Sequence, residues 1–332
     1  MRRYIALALT ILVCSSCSAF APAAGLAGVA SVPSASVGGR LLYVRNGSVE
    51  ELSSAGTKEI AKADPNKGSY AMPAWSPDGG QIAYMIRQKN FSDIGLMSAD
   101  GAGQTLLTRD ENSVIDNNLW AAMPAWSPDG KHILYSSDQG KSGANIDLRI
   151  WLMTLATRRA ATVTTPDFQA GGDADASFRP GHPDQLVYTR WSYETNGTAA
   201  YSTLVLYNLT TQERFALTPT KDTDFQPAWS PDGKTLAFIR RGQASDELYA
   251  AAVPVNITAD LTLPATLLES GVNAQPCWSP DGSELAYISE NNNQFDLYQV
   301  GVSTAPTISA HGKPTQLTND GIDATSRPSW TR

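Results

Sequence analysis

The chain has 332 residues, 42% of them hydrophobic, and a formal charge of −7 that becomes −9 if Arg2 and Arg3 leave with an N-terminal leader. An excess of carboxylates is the wrong balance for gripping a polyanion, so nucleic acid is excluded as a partner. The length could hold two average domains, but closed all-β architectures often use such a length as one.

Met1-Arg2-Arg3 and the apolar run Tyr4 to Val13 have the cationic start and short hydrophobic stretch of a secretory signal, too short to span a bilayer. Small residues precede Cys17 in Cys14-Ser15-Ser16-Cys17, which resembles the lipobox of bacterial lipoproteins. Residues 1–17 therefore read as a signal peptide ending in a lipidated Cys17, exported and anchored to face periplasm or cell exterior. Cys14 stands where the lipobox pattern has an aliphatic residue, which leaves ordinary cleavage near Ala19 to Ala24 as the alternative. Residues 18–37 are dominated by Ala, Ser, Gly, Pro and Val without a charge and read as a flexible tether. If Cys14 is lost with the leader, only Cys277 remains beyond Cys17, so no internal disulfide is expected.

From residue 38 onward one pattern recurs. Trp-Ser-Pro-Asp-Gly occurs at Trp75, Trp126, Trp229 and Trp278, with a degenerate copy at Phe178 and a truncated one at Trp330. The spacings are 51, 52, 51, 49 and 52 residues, and a fixed period near this length with short strands marks propeller blades. Pro presets φ, Asp bonds its own backbone and Gly accepts positive φ, so the motif is a tight turn between two strands. Pro73, Pro124, Pro227, Pro276 and Pro328 precede the tryptophans by two residues and would break a central strand. They fit innermost strands whose free edge faces a channel, with the indoles wedged against neighbouring blades. Gly38 to Tyr43 aligns with Gly79 to Tyr84, so the N-terminus starts on a second strand and Arg327 to Trp330 supplies the missing first one. The prediction is an all-β, six-bladed propeller of four-stranded antiparallel blades over 38–332, closed by a composite blade from both chain ends.

Four copies of Ala/Cys-Trp-Ser-Pro-Asp-Gly followed by Leu/Ile-Ala/Leu-Tyr/Phe, with strands such as Asp246-Glu247-Leu248-Tyr249 and Asp296-Leu297-Tyr298, resemble the TolB-type, WD40-like propeller repeat. The resemblance implies a propeller, and a non-enzymatic protein-interaction role as in TolB. It departs from TolB itself in lacking room for a preceding α/β domain. Prolyl-oligopeptidase relatives add a hydrolase domain with Gly-x-Ser-x-Gly, a motif not found here, and oligogalacturonate lyases gather several histidines where this chain has only His132, His182 and His311.

Function is expected in the unlike loops. The loops entering the innermost strands and those after the second strands share one face of a propeller. They carry Asp116, Trp120, Asp173, Asp175, Asp222, Asp224, Phe225 and Asp323, along with Trp191 and Arg240 and, beside them, Asp167 and Phe168. Arg and aromatics commonly anchor interfaces, so this mixed-charge mouth is read as gripping an envelope protein or peptide segment. The alternative is a glycan bound or cleaved by mouth carboxylates. No cofactor is expected; Asp173/Asp175 and Asp222/Asp224 could offer oxygens to Ca²⁺, but neither pair has the Gly and terminal Glu of an EF-hand loop.

Overall fold

A computed structural model describes residues 37–141, 148–166, 171–193, 200–219 and 222–332. The leader, Cys17 and nearly all of the expected tether lie outside the described residues, as do Asp167 and Phe168.

Six four-stranded antiparallel sheets form the fold, and the only helical element among the described residues is a 3-10 turn at Ile115–Asn117. Blade I is the expected composite, ordered Ser329–Thr331, Arg40–Arg45, Ser48–Ser53, Gly56–Ala61. Blades II to VI start from Ser69–Trp75, Ala121–Trp126, Gly172–Arg179, Asp224–Trp229 and Asn273–Trp278, each pairing outward in chain order. Contacts between successive first strands run around the ring and return from blade VI through Ser329–Thr331 to blade II. Pairing Leu41 with Trp330 and Leu42 with Ser329 closes the ring by joining both chain ends in one blade.

The motif makes the same turn each time. Ser76 Oγ lies 2.6 Å from Asp78 Oδ1 and accepts the Gln81 N–H at 2.9 Å, while Gly79 at φ 66° donates to the Ser76 carbonyl. Ser127/Asp129, Ser230/Asp232 and Ser279/Asp281 repeat it, each with the same 2.6 Å contact. Blade IV differs. Arg179 replaces the serine, and Pro180–Gly181 shortens the connection so that Arg179 pairs directly with His182.

The innermost strands share a bulge. The pairing slips between Ala71 and Ala74, and at the matching positions of blades III to VI. At its centre Met72, Met123, Asp175, Gln226 and Gln275 all take φ between 50° and 58°, a region unfavourable to non-glycine residues. Proline at the next position in four of these five strands removes the N–H that the slipped ladder would leave unpaired.

A second device was not read from the sequence. Each outer strand of blades II, III, IV and VI leads into a Leu-Thr or Val-Thr pair. The threonine Oγ1 accepts the third-strand N–H: Ile94 to Thr108 at 3.0 Å, Ile150 to Thr164 at 3.1 Å, Leu204 to Thr218 at 3.1 Å and Leu297 to Thr318 at 2.9 Å. The pair fastens the outer edge of one blade before the chain crosses to the next. Its sequence signal, a lone Leu/Val-Thr once per repeat, is weak in a Thr-rich chain.

Candidate functional site

The two ends of the propeller differ in chemistry. At one end are the motif turns; at the other are the loops entering the first strands and the turns after the second.

At the motif end the first strands converge on a cavity of about 710 Å³ lined by residues from all six blades. Its wall includes Pro73, Pro124, Pro227, Pro276 and Pro328, the missing donors of the innermost strands, together with the motif tryptophans. Pro77 and Pro231 stand exposed in its turns, and Gln226, Gln275 and Arg327 contribute polar groups from the bulge level. The tryptophans are wedges as expected: Trp126 Nε1 donates across the blade junction to the Ala74 carbonyl at 3.0 Å and Trp278 Nε1 to the Ala228 carbonyl at 3.1 Å. They are also cavity wall, which the sequence reading, placing the site at the other end, did not anticipate. Cys277 lines the same cavity, and burial pushes its thiol up to about 12, so it is inert at neutral pH.

At the loop end most of the sequence-predicted residues are engaged internally. Asp224 is buried in a two-pronged ion pair with Arg240, at 2.7 and 2.8 Å, and half-buried Asp222 reaches the same guanidinium at 3.3 Å. Asp173, also buried, is held by Arg190 at 2.8 and 3.0 Å. Trp191 and Phe225 are buried against each other with ring centroids 5.6 Å apart, and Trp120 is buried with its backbone N–H on Asp138. Asp323 accepts the N–H groups of Asn46 and Gly47 at 2.9 and 2.8 Å, tying the last loop to the first turn of blade I. Asp116 alone of the predicted acids is fully exposed there without a partner of its own, on the 3-10 turn beside exposed Val114 and Ile115.

The expected carboxylate rim is thus corrected for Asp173, Asp175 and Asp224. Asp-x-Asp resembles loop sequence, but each first strand begins five or six residues before its aromatic, which draws these positions into the sheet. Asp175 sits at the blade IV bulge, completely buried, with neither carboxylate oxygen hydrogen-bonded. Among the described residues no group of three or more His, Cys, Asp or Glu could hold a metal ion, and the carboxylates considered for Ca²⁺ at Asp173 and Asp224 are taken by arginines. A second depression of about 710 Å³ lies at the loop end of blade I, where Arg45 pairs with Glu50 and Asp320, and Glu59 and Lys62 also line it.

One loop-end acid is strained. Burial, and then the neighbouring Asp93 carboxylate, push Asp110 up to about 7. Its Oδ2 is enclosed without a partner. Folded Asp110 therefore holds a proton that the unfolded chain loses near its ordinary pKa of 3.8, so its contribution to stability is complete below about 4 and is lost as pH rises through about 7. Asp110→Asn is expected to stabilise the protein at pH 8 by about 1–3 kcal/mol, a figure reduced for the partial exposure of the site. Urea melts from pH 5 to 8 should show a flatter pH slope for the variant; identical slopes would mean Asp110 is ordinary.

Fold and cavity define a class, the closed six-bladed propeller with a proline- and tryptophan-lined channel mouth. Residues 184–326 match the family model described as TolB beta propeller domain. Among solved structures it is similar to TolB from Acinetobacter baumannii, at TM-score 0.64 and 20% identity, covering 88% of this chain and 66% of that one. It is similar to a putative TolB from Agrobacterium tumefaciens, at TM-score 0.60 and 13% identity over 88% of this chain and 93% of that one. A chain of the nidogen/laminin complex matches at TM-score 0.60 and 12% identity, over 88% and 97%. These identities establish the fold alone. A curated relative, the uncharacterized peptidase YuxL of Bacillus subtilis, is 31% identical over 177 residues, 53% of this chain. The chain spans only about a fifth of that relative, the match covering 22% of its length.

Proposed function

We propose that this chain is a non-enzymatic binding propeller, held at the outer side of a bacterial membrane by a lipid on Cys17, that takes a polypeptide segment of another envelope protein into the motif-end cavity. The cavity carries the reading. A mouth of about 710 Å³ is of the size of ligand sites, and its proline and indole walls beside Gln226, Gln275 and Arg327 offer both apolar contact area and polar groups. Proline walls also present carbonyls without competing N–H donors, which suits an extended segment seeking backbone partners. The likeness to TolB and to a chain from a complex of two proteins, nidogen and laminin, supports a protein partner. The glycan alternative loses its support, because two of the carboxylates it needed, Asp173 and Asp224, are committed to arginines.

The test compares the two ends of the same molecule. A photo-crosslinking residue placed at exposed Pro77 or Pro231 on the cavity rim, or at exposed Asp116 on the loop end, is activated in cells that produce the protein. A discrete adduct from both rim positions and none from Asp116 is expected. Adducts from Asp116 alone would move the site back to the loop end and sink this assignment.

A further inference from the structure

Two arginines line the cavity, Arg327 and Arg332, and neither joins an ion pair among the described residues. Arg327 lines it from blade I, at the position matching Met72 and Gln226 in other blades. Its Nη1 is enclosed without an acceptor, and it joins none of the ion pairs found among the described residues. The contrast is with Arg40, Arg179, Arg190 and Arg240, each committed to backbone carbonyls, a carboxylate or both. A guanidinium nitrogen enclosed without an acceptor carries a free-energy cost that an arriving anion would recover.

We propose that Arg327 anchors a single carboxylate carried by the polypeptide segment that the cavity takes. This rests on the binding role proposed above and adds the chemistry of its ligand. The planar fork of arginine matches a carboxylate with two parallel hydrogen bonds. The buried carboxyl of Asp175, on blade IV across the ring from blade I, interacts electrostatically with Arg327, but burial pushes its pKa up and favours its neutral form. Arg332 lines the rim, while Asp78 is already occupied by the Ser76 hydroxyl and the Gly80 N–H. Asp281 and Glu284 lie in a side depression with Arg332 rather than in the cavity. The apolar walls would then take the residues flanking the acid, so the segment expected is an Asp or Glu, or a chain terminus, set among prolines or apolar residues.

The probe is a random twelve-residue peptide library on phage, panned against the full chain. Winners are synthesised with acid and with amide C-termini, and their Kd values are measured by tryptophan fluorescence. Cavity binding is defined by loss of affinity in Pro77→Trp/Pro231→Trp, two exposed rim positions that the fold can spare. Cavity-dependent peptides should carry Asp or Glu at a fixed place, or depend on a free C-terminus, the paired acid and amide forms telling these apart. Replacing the acid by its amide, or Arg327→Gln, should each weaken binding at least about tenfold, and the two together little more than either, with Arg327→Lys between. Should Arg327→Gln fail to fold, Arg327→Lys carries the same test. Cavity-dependent peptides that bind wild type and the Arg327 variants equally would overturn the carboxylate anchor and leave the binding role standing. A library yielding no cavity-dependent peptide would overturn both.

Discussion

Trp229→Ala is expected to destabilise the protein by about 3–5 kcal/mol in urea or guanidinium melts. The indole is buried among Val187, Leu204, Leu236 and Val253, at the junction of blades IV and V. A loss under about 1 kcal/mol would mean the wedge role is wrong. Phenylalanine separates packing from hydrogen bonding. Trp229 Nε1 has no acceptor, whereas Trp278 Nε1 donates to the Ala228 carbonyl at 3.1 Å. Trp278→Phe should therefore cost about 1 kcal/mol more than Trp229→Phe.

Arg179→Ala should cost about 2–4 kcal/mol, with thermal unfolding as the readout. This arginine is completely buried with no carboxylate partner, and burial lowers its pKa. It stays charged because carbonyls surround it. Nε donates to Gly233 O at 2.8 Å, Nη2 to Val253 O at 3.2 Å and Pro254 O at 3.1 Å, and Nη1 to Gln185 Oε1 at 3.1 Å. It also lies 4.9 Å above the Trp229 ring. Arg40 repeats the arrangement in blade I, reaching Gly79 O at 2.8 Å and stacking 4.3 Å over Trp75. Arg179→Lys should recover less than half of the loss, since an ammonium cannot span carbonyls from two connections. A double-mutant cycle with Trp229→Phe should give a coupling of about 0.5–2 kcal/mol. Additive effects would show that the stacking contributes nothing.

The fold was legible because repetition multiplies a weak local signal. One Trp-Ser-Pro-Asp-Gly is a turn with an aromatic before it. Several copies in frame, with Pro at a fixed offset and a split copy at the chain ends, fix blade number, strand order and closure. The binding surface was less legible for a related reason. Trp75, Trp229 and Pro276 read as structural because they repeat, yet repetition around a ring is what brings them together at one mouth. Asp173, Asp175 and Asp224 read as rim residues because Asp near a strand start resembles a turn former, whereas Asp173 and Asp224 pair within the first strands and Asp175 sits in the slip.

The sequence by itself determined the six blades, the turn at each motif, the edge-strand prolines and the joining of both termini in one sheet, because each follows from local chemistry read in register. Only the tertiary structure decided which polar groups are spent inside the fold and which are left over. Arg240 meets Asp224 at 2.7 Å and is consumed, whereas Arg327 lines the cavity with its Nη1 enclosed and without an acceptor. Such pairings depend on distances between residues separated by whole blades, which local patterns do not encode.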